Sequence, residues 1–235
     1  AKLGPLDAAD ATRVRWVTNE TLMWRQDPKA VQECDASVHG NPEGSPMWFR
    51  ALAGLIFASA QHECYDVMFA AVNRLRSQVH TEGEPEDLRR AQVLAYALSC
   101  WSLSTLGVFP LALEFRDRLV QLSAAGPLAD QEQGWWHVAM FYVAQHVEAD
   151  PWAGLKHASA ARVCFTQAQD ERLQTLVAYK EAAALILLGA GEAAEELLAG
   201  LSSEPSKLMV GVTHRFQAGA ASLLGKPDEA ARYAR

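Results

Sequence analysis

Five alanines stand 41 residues apart, at Ala30, Ala71, Ala112, Ala153 and Ala194. A fixed period of that length is the mark of one structural unit repeated along the chain, each copy burying its apolar face against the next. A second pattern falls in step with the first. Glycine followed five positions later by alanine occurs at Gly107/Ala112 and Gly189/Ala194, and again, after a step of 36 residues, at Gly225/Ala230. Glycine adopts the left-handed turn that ends a helix. An alanine one turn into the next helix then lets the two helices approach closely. The repeating unit is therefore a helical hairpin, and Ala112, Ala194 and Ala230 are expected at close contacts within it.

Helical periodicity dominates the whole chain, and no Asn-Gly or Asp-Gly hairpin turn interrupts it. Proline and glycine fall instead where helices should start and stop, as at Asp27-Pro28, Gly40 to Pro46, Gly83 to Pro85, Gly126-Pro127, Asp150-Pro151 and Glu204-Pro205. Cutting there predicts helices over 7–26, 28–38, 46–62, 66–80, 85–106, 109–124, 128–147, 151–168, 171–188, 191–202, 206–224 and 227–235. Twelve helices make six hairpins, and the connections between them are too short for an independent domain boundary. Residues 1–235 are thus expected to form one helical repeat domain.

In this pattern the chain resembles the tetratricopeptide repeat family, most clearly from Ala91 onward. Such repeats carry a small residue in the first helix, a Gly at the corner and an Ala early in the second helix. The small-residue column falls on Thr18, Ser59, Cys100, Phe141, Ala182 and Ala218, where Phe141 departs from the pattern. The corner column holds Gly107, Gly189 and Gly225, with Arg25, Asp66 and Glu148 at the other corners. The 41-residue step exceeds the period of about 34 usual in the family, so longer helices are expected here. The resemblance implies an all-α fold, a right-handed α–α superhelix of about six hairpins. Related arrays form carboxy-terminal regions of bacterial signal-transduction ATPases, kinases and transcription regulators, an analogy of architecture only.

Half of the residues are hydrophobic and the net charge is −7, so the chain can bury a core but offers no basic stripe for nucleic acid. No apolar run approaches the roughly 20 residues that span a bilayer, and the first residues hold no basic segment followed by a hydrophobic stretch. Cytoplasmic residence is expected, and the sequon Asn19-Glu20-Thr21 is read as coincidence within a helix. The first residue is Ala, and the last helix ends after about two turns, as in a segment cut or trimmed from a longer protein.

No catalytic constellation emerges. His62-Glu63 lacks a second histidine four residues on, and Gly219 to Lys226 has the wrong spacing for a phosphate loop. Cys34, Cys64, Cys100 and Cys164 lie far apart, without CxxC spacing. Reduced thiols, no metal and no cofactor are therefore expected, with Cys100 buried against the second helix of its own hairpin.

The chain is instead rich in aromatics, with seven Trp, five Tyr and eight Phe. The resemblance places the first helices of the hairpins on the concave face. Its groove positions map onto Arg15, Asn19, Trp101, Trp135, Tyr142, Tyr179 and Arg215. Tryptophan, tyrosine and arginine are the types that dominate binding hot spots, although the same aromatics can fill the space between hairpins. Two functions stay open. One is an interaction module that takes a protein or peptide segment, including another domain of the same parent chain. The other is a small-molecule sensor with a pocket near Trp101, Trp135 and Tyr142.

Overall fold

The computed structural model describes residues 8–78, 83–201 and 207–234. Among these residues all regular structure is helical, with no strand, in the order α1 (Ala8–Trp24), α2 (Lys29–Gly40), α3 (Pro46–Gln61), α4 (Tyr65–Arg76), α5 (Glu86–Thr105), α6 (Phe109–Ala124), α7 (Asp130–Tyr142), α8 (Pro151–Gln167), α9 (Glu171–Leu187), α10 (Gly191–Ala199), α11 (Lys207–Leu223) and α12 (Pro227–Tyr233). A single π-helical turn, Val143–Val147, extends α7. Three helix starts among the described residues are capped by a side chain. Ser45 caps α3 by accepting the Trp48 N–H, Asp150 caps α8 through Ala153, and Asp170 caps α9 through Leu173. Each such cap contributes about 1 kcal/mol. The expected helix bounds at residues 7, 80, 202, 206 and 235 lie outside the described residues.

All six hairpin corners share one device, a residue in the left-handed conformation. It is Gln26, Glu63, Gly107, Ala149, Gly189 and Gly225, with φ between 51° and 76°. The corners read from sequence at Arg25, Asp66 and Glu148 are therefore corrected to Gln26, Glu63 and Ala149. A non-glycine residue can hold this conformation at a cost of about 1–2 kcal/mol, so nothing in its identity announces the turn. After the turn the next N–H reaches back over the helix end, as in Asp27 to Leu22, Cys64 to Ser59, Ala190 to Leu185 and Lys226 to Ala221, at 2.9–3.0 Å. At the fourth corner the Asp150 N–H reaches one residue further, to Ala144 at 2.9 Å, because the π-helical turn has inserted one residue.

That insertion also explains an irregularity in the alanine series. Ala30, Ala71, Ala112 and Ala194 are buried, whereas Ala153 is only partly so and the buried residue at the start of α8 is its neighbour Gly154. A Cβ on Gly154 would come to 3.7 Å from the Phe141 ring. That is an ordinary van der Waals distance, so Phe141 packs against α8 with room for a small residue there. In the preceding hairpin the assignment runs the other way: Cys100 is small, and its thiol meets the Ala112 carbonyl at 3.4 Å, as the sequence predicts.

The chain divides into two compact units, one of residues 1–106 with 110–127, the other of 107–109 with 128–235. In the first, α3 lies against α1, α2, α4 and α5. Its sequence is apolar on every side, and it is buried without interruption from Ala51 to Ser59. Gly54 permits this crowding, since a Cβ there would stand 2.8 Å from the Met23 sulfur and 2.9 Å from the Cys34 sulfur. Arg118 of α6 joins successive second helices by donating to the carbonyls of Arg76 and Gln78 at the end of α4, at 2.7 and 2.9 Å. In the second unit α8 packs on α7 and α9, and α11 on α9, α10 and α12. Gly134 seats the Phe165 ring so closely that a Cβ would lie 2.6 Å from it. Tyr179, Ala182 and Leu198 form a core there, flanked by Leu197, Leu201 and Phe216.

Candidate partner-binding face

Packing of α1 on α3 and of α3 on α5 brings three first helices side by side, and an aromatic row crosses them. Trp24 of α1 meets Phe57 of α3 at 5.6 Å between ring centroids, and Phe57 meets Trp101 of α5 edge-on at 4.7 Å. Trp24 and Trp101 themselves stand 6.4 Å apart. Phe57 is buried, while both tryptophans keep part of their surface in solvent. Exposed Arg25 follows Trp24 just past the end of α1, and exposed Thr105 lies one turn beyond Trp101 in α5. A wide, partly exposed aromatic surface on a buried support offers large contact area with little side-chain entropy to lose.

Of this row the sequence singled out Trp101 alone. Counted from the corrected corners, Phe57 and Trp101 each stand six residues before the left-handed residue, Glu63 and Gly107. With the corner read at Asp66 that position fell on Ala60, so the match between the two aromatics was hidden.

The other residues mapped to the groove have different surroundings. Asn19 is 1% exposed; its amide donates to Ser37 Oγ at 2.8 Å and to the Glu33 carbonyl at 3.3 Å. Its Oδ1 is buried without a partner and, with exposed Arg15, Ser37 and Asn41, lines a cavity of about 30 Å³. That is room for a water molecule rather than for a side chain. Trp135 is buried with its ring edge-on to Phe165 at 5.8 Å. Tyr142 is buried too, stacked on His146 at 5.7 Å with the Lys180 ammonium 5.4 Å from its ring centre. Burial pushes its hydroxyl well above the usual phenol range. Tyr179 is 1% exposed and stacks on Phe216 at 6.3 Å. Asn19, Trp135, Tyr142 and Tyr179 thus serve the interior, and the groove expected along them gives way to core packing. The side chain of Arg215 lies outside the described residues.

The second unit carries a wider recess of about 560 Å³ between α8, α9 and α10, lined by Arg162, Glu171, Gln174, Thr175, Glu196 and Leu197 among others. At its edge Glu181, 8% exposed, accepts hydrogen bonds from Ser159 Oγ and Arg162 Nε, both at 2.7 Å. The carboxylate is buried but doubly satisfied, which holds Arg162 in place. Among the described residues no helix is long and apolar enough to cross a membrane.

Six hairpins of this kind define an all-α helical repeat protein. No family model and no curated protein matches the sequence. In fold the chain is similar to the crystal structure of a Rap protein complexed with competence and sporulation factor, with a TM-score of 0.60 at 12% sequence identity. The similarity covers 95% of this chain and 63% of that one, so this chain spans a little under two thirds of the Rap protein's length.

Proposed function

We propose that the chain is a non-catalytic, cytoplasmic binding module that takes a segment of a partner protein, or of another domain of its own parent chain, across the first helices of its hairpins. The observation that carries this reading is the row Trp24–Phe57–Trp101, which joins three first helices in one partly exposed aromatic surface. The similarity in fold to a Rap protein in complex with competence and sporulation factor supports it, since that repeat protein holds another molecule. A regulatory place within a bacterial signalling protein is the setting we favour. The test is selection of binders from a displayed random-peptide library, followed by titration against Trp24→Ala and Trp101→Ala. Weakening by about 1–2 kcal/mol or more in each variant with an unchanged melting temperature supports the row as a hot spot. Undiminished affinity in both variants removes it.

The second reading, a small-molecule sensor, draws its support from the recess beside Arg162, Glu171 and Glu196. Its size suits a metabolite. A thermal-shift screen read against Glu196→Gln separates the two, because a ligand of the recess loses its shift in that variant and a ligand of the aromatic row does not.

A further inference from the structure

We propose that His137 and His157 form a binding site for one divalent transition-metal ion, held between the Nδ1 atoms of the two rings. His137 lies on α7 and His157 on α8, and the packing of these helices brings the two Nδ1 atoms to 3.1 Å. Two imidazoles bound at about 2.0–2.1 Å to one tetrahedral ion hold their nitrogens about 3.3 Å apart. The separation is therefore within a few tenths of an ångström of a chelate, and turning the rings so that both lone pairs face the ion exchanges the present contact for one.

The surroundings fix the rings for this role. Trp136 sets its ring edge-on against His137 at 4.9 Å and against His157 at 5.7 Å. Gln133, one turn before His137, places its amide 3.4 Å from His137 Nε2. As placed, the amide nitrogen donates to Nε2, so the His137 proton lies on Nδ1 in the contact with His157; an ion takes the inner position when that proton moves to Nε2 and the Gln133 amide turns its oxygen toward it. Both rings are partly exposed, which gives the ion an entry path and leaves water to complete its shell. Among the described residues no group of three or more His, Cys, Asp or Glu side chains converges, so the site has two protein ligands. Such a site is labile and favours Cu²⁺ over Ni²⁺ and Zn²⁺, following the general order of affinities for nitrogen ligands. Its occupant would clip α7 to α8 and stabilise that hairpin by mass action.

The experiment titrates the chelator-stripped full chain with CuCl₂, NiCl₂ and ZnCl₂ by calorimetry. Wild type, His137→Gln, His157→Gln and the exposed-surface control His39→Gln are compared, with circular dichroism confirming the fold of each. We expect a one-to-one component that weakens at least tenfold in His137→Gln and in His157→Gln and persists in His39→Gln. Pulsed electron paramagnetic resonance of the Cu²⁺-loaded wild type gives an answer that does not depend on the variants, and two coordinated imidazoles are expected. Equal binding in His157→Gln, or a copper spectrum with one imidazole or none, overturns the site.

Discussion

Single contacts in this protein are decided by volumes of one or two carbon atoms. Ala112 is fully buried with its carbonyl against the Cys100 thiol, so Ala112→Leu should overpack the hairpin and cost about 1–3 kcal/mol, measured by chemical denaturation. The same burial governs the thiols. Desolvation, with help from Glu33, pushes Cys34 up to about 12, and burial raises Cys100 further, whereas Cys64 and Cys164 are partly exposed. A disulfide-exchange reagent should therefore titrate Cys64 and Cys164 first in the native protein and all four thiols after denaturation without reductant. Histidine chemistry gives a third expectation at this scale. Burial first, and then the charge of His157, lowers His137 to about 4 from its ordinary 6.5; burial and then Lys156 also lower His157, with Glu148 opposing. A histidine with a depressed folded pKa binds its proton more readily when unfolded. Its contribution is thus complete above about 6.5 and is lost as pH falls toward 4. The melting temperature of the chelator-treated chain should drop across that window, and His137→Gln should flatten the drop relative to wild type.

At the scale of the element the corner is the unit that matters. Gly107 has φ 76°, and a Cβ there would meet nothing within 4 Å, so its glycine is required by the backbone alone. Gly107→Ala should cost about 1–2 kcal/mol through the left-handed conformation, with no packing contribution. Ala149 holds the equivalent place at φ 53° with a side chain already present. Ala149→Gly should relieve that strain, and because glycine also loosens the unfolded chain the net gain should stay below about 1 kcal/mol. Opposite signs for the two substitutions in one denaturation series would establish that the six corners are the same device. A loss of stability in Ala149→Gly would tie the fourth corner to its π-helical turn instead.

Across the whole molecule, aromatic residues divide between support and surface, and the division can be measured. Tyr179 sits in a core with Ala182 and Leu198, so Tyr179→Ala should unfold its surroundings at a cost of about 3–5 kcal/mol. Trp101→Ala removes a partly exposed ring at the end of the aromatic row and should weaken partner binding with little change in melting temperature. Calorimetric melting of both variants beside the binding titration separates the two roles. The reverse result, a stable Tyr179→Ala chain that no longer binds, would move the binding face to the second unit.

Helix class, helix number and most helix ends were legible in the chain, because glycine and proline punctuate it and apolar residues recur at the helical period. Ala112, Ala194 and Cys100 took the buried places assigned to them, whereas Ala230, beside the Gly225 corner, is only partly buried. Three corners were misread for a physical reason: Gln26, Glu63 and Ala149 enter the left-handed region without the residue type that marks it. Which aromatics stay partly in solvent was not legible either. Trp101 and Tyr179 both map to the groove by resemblance, and only the neighbours supplied by other helices expose one and enclose the other. His137 and His157 lie twenty positions apart with no ligand spacing to connect them, and their meeting at 3.1 Å is a product of helix packing alone. Sequence by itself determined the repeated hairpin, because local propensity and period act within a few residues. Tertiary structure decided the faces, because burial depends on what arrives from elsewhere in the chain.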